Sequence, residues 1–281
     1  MRLQRGESIY GYDFDHFMSG ELQTCTLVGG GKAGKGEGKV DYYFNLPAGP
    51  ITRGGTCCFG EASELCRLKC YAQGGNFVFR TVQRAAARSY YCSQREDFAD
   101  RIVYELGRYS VREAKEGNDT LFFRLHSSGE FYSPNYVKQW QLVVDKIMAT
   151  SFATRVALWA PTRNYFGGFM PELIKLNNMA DNDKAVVSIR PSVLGVGDAP
   201  PVVPGLDAGT TVVDGLGDCP AVQASIINTQ NKNKIAAGTA QRMPHTCKGL
   251  GCRRCWLSPK QTVTYGLHGA GVTGPFKREE S

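Results

Sequence analysis

The sequence predicts a single α/β domain, a complete or partial (β/α) barrel with cysteine-rich metal sites near its N- and C-terminal ends. Strand-like and helix-like segments alternate from Leu121 to Arg190, the pattern of βαβ units around a parallel sheet. The length of 281 residues does not force a split, because α/β barrels of about 250 residues fold as one unit. Most of the ten cysteines gather in two groups, one toward each end of the chain.

Residues 1–56 form a glycine-rich N-terminal segment. Its run from Gly29 to Lys39 reads as a solvated loop, and no Gly-Lys in it is followed by the Ser or Thr of a P-loop, which argues against a phosphate cradle. Asp41–Leu46 reads as a short strand, stopped by Pro47 and Pro50. Residues 57–217 form the α/β core. From Ala62 to about Ala87 the pattern is helical with an interruption at Gly74-Gly75, and an amphipathic helix follows near Phe98–Ala114, with Ile102, Val103, Leu106 and Val111 at its apolar positions. The alternation then runs strand Leu121–His126, helix Pro134–Met148, strand Arg155–Ala160, helix Met170–Met179 and strand Ala185–Arg190. Pro191–Gly217, rich in Pro, Gly, Asp and Val, breaks it as a surface excursion. Residues 218–281 form a cysteine-rich segment, one unit with the core, that closes on a strand near Gln261–Leu267.

Composition narrows the function classes. No stretch approaches the roughly 18–20 apolar residues needed to cross a bilayer, so no membrane partner is expected. Met1–Glu7 lacks the apolar run of a secretory signal, which points to the cytoplasm. Thiols there stay reduced, so grouped cysteines read as metal ligands or catalytic groups before disulfides. The net charge of +7 is compatible with a nucleotide or nucleic-acid partner but is spread along the chain.

Three constellations carry chemistry. In the first, Cys66 and Cys70 stand at i and i+4, one face of a helical turn, where Cys58, or its neighbour Cys57, can join them from the preceding loop. Three thiolates leave one position of a four-iron cluster or of a zinc ion open, the mark of a catalytic rather than a structural site. In the second, Cys247, Cys252 and Cys255 have the C-x4-C-x2-C spacing of plant-type ferredoxin ligands. Cys219, His245 or His268 would close that shell, and tetrahedral zinc would satisfy the same residues. The third is the turn Ser127-Ser128-Gly129-Glu130 after the strand at 121–126, placed where parallel sheets gather their functional groups. Arg124, His126, Arg163 and Arg190 would surround it as a polar, partly basic substrate rim. Cys25 and Cys92 have no evident partners and read as ordinary thiols.

These residues carry a resemblance. Asn45–Pro50, Cys58, Cys66, Cys70-Tyr71-Ala72, Phe123–Phe131, Cys219-Pro220 and the Cys247/Cys252/Cys255 set resemble the phage gene product 88 family over residues 45–268. That family is in turn similar to radical-SAM-like iron–sulfur proteins. The resemblance implies a catalytic four-iron cluster on Cys58, Cys66 and Cys70. It also implies an S-adenosylmethionine contact at Ser128, Gly129 and Glu130, an auxiliary cluster on Cys219, Cys247, Cys252 and Cys255, an electron donor, and the cytoplasm of a phage host. The gaps of seven and three residues between the first three cysteines are longer than those of typical radical-SAM enzymes. A zinc-dependent transglycosylase-like enzyme is a rival expectation. So is a metal-stabilised nucleic-acid-binding module that offers Arg253, Arg254 and Trp256 to a base.

Overall fold

Seven strands lie side by side in the order in which the chain makes them. They are β1 (Gly29–Gly31), β2 (Val40–Phe44), β3 (Thr120–Leu125), β4 (Arg155–Thr162), β5 (Ala185–Val196), β6 (Thr210–Val213) and β7 (Val263–Gly266). The computed structural model describes residues 21–31, 40–49, 55–57, 72, 75–179, 182–213, 217–241, 243, 252–258 and 260–266. β1 pairs antiparallel with β2, and every later neighbour is parallel. The helices are α1 (Glu21–Thr24), α2 (Arg80–Cys92), α3 (Phe98–Lys115), α4 (Pro134–Ala149), α5 (Phe169–Asn177), α6 (Pro220–Gln230), α7 (Lys232–Ala236) and α8 (Arg254–Leu257). Among the described residues β7 pairs only with β6, so the sheet is open rather than closed into a barrel.

Period-two alternation puts opposite side chains of each strand on opposite faces. Leu121, Phe123 and Leu125 of β3, Val156, Leu158 and Ala160 of β4, and Ala185, Val187 and Ile189 of β5 join the core formed with α3, α4 and α5. Trp140 of α4 is fully buried there, edge-on to Phe44 and Phe98. Ala157, Trp159 and Val263 face the other way and pack with Cys219, Cys255 and Trp256 of the C-terminal segment, joined by Phe122 and Val186. Both faces are therefore apolar, as a parallel sheet requires. The helix starts follow local chemistry: at α4 the Ser133 hydroxyl accepts the Tyr136 N–H and Pro134 supplies the first helical residue, where no N–H is needed.

The predicted elements from Phe98 to Ile189 fall within a few residues of those observed, and three other segments differ. Gly29–Gly31, expected in a loop, is an edge strand. Gly29 sits opposite Tyr43, whose ring lies over the bare glycine where a Cβ would displace it. Pro191–Gly217, expected as an excursion, contains the end of β5 and all of β6, because β5 continues past Pro191 to Val196 and bends to a new partner. The helix expected over 62–87 begins, among the described residues, as a 3-10 turn at Gly75–Val78 followed by α2. Residues 58–71 lie outside the described residues, as do Lys32–Lys39 of the glycine run.

Candidate functional site

The carboxyl ends of β2, β3 and β4 are tied into one polar knot. His126 leaves β3 with a positive φ of 59°, its N–H donating to the Phe44 carbonyl at 2.8 Å. Ser128 is clasped to the chain after β2: Leu46 N–H donates to its carbonyl (3.0 Å) and its hydroxyl donates to the Leu46 carbonyl (2.8 Å). Gly129 turns at φ 81°, and a Cβ there would meet Leu46 Cβ at 2.4 Å and Thr56 Oγ1 at 2.7 Å. Gly129→Ala is expected to cost about 2–3 kcal/mol, combining left-handed backbone strain with overpacking. Urea unfolding reads this directly, and a loss below about 1 kcal/mol would show that the turn relaxes freely.

Thr56 joins this turn to the start of the cysteine-rich stretch of sequence. Its hydroxyl donates to the Pro47 carbonyl (2.8 Å) and accepts the Glu130 N–H (3.2 Å), while the next residue, Cys57, donates its N–H to the Gly49 carbonyl (2.9 Å). Glu130 then reaches across to β4. Oε1 accepts from Phe131 N–H and the Thr162 hydroxyl, both at 2.8 Å, and Oε2 accepts from Arg163 N–H at 2.9 Å. Burial pushes this carboxyl up to about 7, the three donors offsetting only part of the desolvation. It therefore gains or loses a proton near neutrality, and Oε2 has room for one further donor.

His126 is buried between Phe131, edge-on at 4.6 Å, and Tyr136, whose hydroxyl lies 2.9 Å from Nε2. Burial, and then the Arg124 guanidinium, push its pKa down to about 3, so the ring is neutral at physiological pH. Its Nδ1 and the Oδ1 of Asn164 are buried without a hydrogen-bond partner among the described residues, one at the end of β3 and one just past β4. Asn164 also donates from its side-chain amide to the Phe131 carbonyl. Thr162, at the strand end beside Arg163, was expected at this rim, whereas Thr56 and Asn164 were not. They supply local bridging groups with no pattern of their own, and only the adjacency of strand ends selects them.

The expected basic rim divides. Arg163 stays at the knot, half-buried, with Nε donating to the Val193 carbonyl (2.8 Å). Arg124 turns to the opposite face of the sheet, 4.6 Å from the Trp159 ring centroid. Arg190 is not a rim residue. It is fully buried and all five of its N–H groups donate to backbone carbonyls, of Ala208, Arg254, Cys255, Ser258 and Gln261, at 2.5–3.3 Å. An extended β5 covered by the C-terminal segment turns what looked like a strand-end cation into a staple.

The C-terminal segment brings Cys219, Cys252 and Cys255 to one small cavity, with Pro220, Arg254, Trp256 and Val263. Among the described residues no three His, Cys, Asp or Glu groups already stand in metal-ligating geometry. Cys58, Cys66, Cys70, Cys247, His245 and His268 lie outside the described residues. Of the nucleic-acid knuckle expected at 253–256, Trp256 is turned inward and the two arginines are half-buried. Trp256 is buried against Trp159, Arg253 stacks 4.0 Å over the Phe122 ring, and Arg254 pairs with Asp218 at 2.8 Å. No helix among the described residues is long and apolar enough to cross a membrane.

The geometry can be set beside known proteins. No solved structure matches the chain. The Gene 88 protein of Mycobacterium phage D29 is 25% identical over 247 residues, covering 85% of this chain and 91% of that protein. The family model described as gene product 88 matches residues 22–257, a span that takes in the whole sheet up to β6, the polar knot and α8. The chain therefore belongs to the gene product 88 family.

Proposed function

We propose that the protein is a radical-SAM-like iron–sulfur enzyme acting on a nucleotide or nucleic acid. One observation carries the reading: the cysteine-rich stretch of sequence starts at Cys57, and its neighbour Thr56 is bonded to the 127–130 turn at the carboxyl ends of two consecutive parallel strands. A cluster on Cys58, Cys66 and Cys70 would then lie on the side of the sheet where a parallel fold places its ligands. Six parallel strands in sequential order also support the reading of a partial (β/α) barrel.

The donor set fits the group. Three thiolates hold a four-iron cluster with one iron open, and a buried carboxyl and an unpartnered imidazole nitrogen stand at the adjoining strand ends. When bound, the cluster and S-adenosylmethionine supply one-electron chemistry that the protein itself lacks. The chain's own part is to bind, orient and exclude water. The 128–130 turn presents backbone at Gly129, where a side chain would collide with Leu46. Glu130 offers Oε2 to an amino group and holds the β3 and β4 loops together while doing so. Ser128 contributes shape, because its hydroxyl is committed to Leu46. Cys219, Cys252 and Cys255, which line one small cavity, would with Cys247 hold an auxiliary cluster. The +7 net charge supports a polyanionic substrate.

The test is metal and acid-labile sulfide analysis of protein purified without oxygen, with product analysis after reduction in the presence of S-adenosylmethionine. Iron and sulfide in equal amounts are expected, falling by about half in the Cys58→Ala/Cys66→Ala/Cys70→Ala variant. 5′-Deoxyadenosine is expected from the parent and not from that variant. Zinc without sulfide would overturn the reading in favour of a zinc-dependent enzyme.

A further inference from the structure

A second cysteine pair lies outside these sets. Cys25 follows α1 and Cys92 ends α2, 67 residues apart, with their sulfurs 3.6 Å from each other. Arg101 of α3 spans both: one nitrogen lies 3.3 Å from Cys25 Sγ and the other 3.5 Å from Cys92 Sγ, and the same guanidinium donates to the Cys25 and Leu22 carbonyls. Cys92 is fully buried, while Cys25 is half-buried and so within reach of a small oxidant. We infer that Cys25 and Cys92 form a redox-active dithiol in which the half-buried Cys25, beside the Arg101 guanidinium, attacks hydroperoxides and Cys92 resolves the product to a disulfide.

The steps balance. The Cys25 thiolate displaces alkoxide or hydroxide from the peroxide O–O bond, becoming a sulfenic acid as that bond is reduced by two electrons. The leaving oxyanion takes a proton from solvent. The Cys92 thiol then attacks the sulfenic sulfur, the S–S bond forms, and water leaves carrying the Cys92 proton. The sulfurs must close from 3.6 Å to about 2.05 Å, a side-chain movement. The charge arrangement fits these roles. The hydrogen bond from Cys92 and then Arg101 bring the Cys25 thiol down to about 6, Arg88 adding a smaller pull, whereas hydrogen bonding to Cys25 and burial push the Cys92 thiol up. These directions favour the thiolate at the more exposed sulfur and the protonated thiol at the buried one. Arg88 is itself paired with Glu21 at 3.1 Å, and among the described residues Arg101 is the cation within hydrogen-bond reach of both sulfurs.

Trypsin isolates the two cysteines in separate peptides, residues 6–32 and 89–95, each with one cysteine. The full-length protein is treated at pH 7 with one equivalent of hydrogen peroxide, capped with N-ethylmaleimide and digested. The expected main disulfide joins these two peptides, and it forms faster in folded protein than in urea-unfolded protein. Cys92→Ser should leave a Cys25 sulfenic acid that dimedone labels. Arg101→Gln should slow the cross-link about threefold or more, the lost thiolate fraction being partly offset by higher intrinsic nucleophilicity. Full maleimide labelling of both peptides after peroxide, in protein that is still folded, would overturn the inference, as would a cross-link no faster folded than unfolded. The folded-against-unfolded comparison uses unaltered protein and decides the matter even if a variant fails to fold. Neither outcome depends on iron, so this test and that of the iron–sulfur reading fail separately.

Discussion

Arg190→Met should destabilise the protein by roughly 3–5 kcal/mol, the largest single-residue effect expected away from the cysteines. The side chain is fully buried, and each of its five N–H groups meets a carbonyl. Four of those carbonyls, of Arg254, Cys255, Ser258 and Gln261, belong to the C-terminal segment. The fifth, of Ala208, precedes β6. A methionine fills the volume and leaves the carbonyls facing apolar carbon, so the cost is their desolvation rather than a cavity. Lysine at 190 should recover part of the loss, since it keeps the charge but brings three donors in place of five. Urea unfolding followed by tryptophan fluorescence reads the effect twice, because Trp256 is packed on Trp159 beneath this staple. A loss under about 1 kcal/mol would mean that the C-terminal segment is held by its apolar contacts alone.

Glu130→Gln is expected to abolish a pH dependence of stability worth about 3 kcal/mol. The folded carboxyl lies at about 7 against an ordinary 4.5, so the folded state binds the proton more tightly than the unfolded state does. The associated stability is fully present below pH 4.5 and is lost as pH rises through about 7. Between those values each pH unit costs the parent about 1.4 kcal/mol. Glutamine cannot ionise, so its curve lacks this slope. It pays a different, constant cost of about 1–3 kcal/mol, because its amide N–H₂ cannot accept from Arg163 N–H and Phe131 N–H together with the Thr162 hydroxyl. The two stability curves should approach each other, or cross, between pH 5 and 8. Equal slopes in parent and variant would show that the three donors hold the carboxylate ionised and that burial does not dominate.

The two predictions concern opposite faces of one architecture. Glu130 ties the loops at the carboxyl ends of β3 and β4, where the proposed chemistry lies. Arg190 fastens the segment carrying Cys219, Cys252 and Cys255 to the far side of β5. Loss of Arg190 should therefore disturb the C-terminal cysteines before it disturbs the 128–130 turn, and metal analysis of the Arg190 variants separates the two cysteine groups.

The sequence by itself determined the alternation of strands and helices from Phe98 to Ile189, because period-two and period-3.6 burial are properties of neighbouring residues on one backbone. It also determined the cysteine spacings and the turn at Gly129, since both are local. The tertiary structure alone decided which distant groups meet. Arg190 at a strand end looked like a ligand-facing cation, and it became a staple because β5 runs on past Pro191 and the chain returns over it some sixty residues later. Trp256 and Arg253 looked like a recognition knuckle, but Trp256 became core and Arg253 lies over Phe122, because the exposed apolar face of β3 and β4 needed cover. Cys25 and Cys92 looked solitary because no local period links residues 67 apart. Packing of α1 against α2, fastened through Glu21 to Arg84 and Arg88 and through Arg101 to the Leu22 carbonyl, places their sulfurs together. Local geometry is encoded within a few residues of backbone, whereas partnership across the fold follows from which surfaces must be buried together.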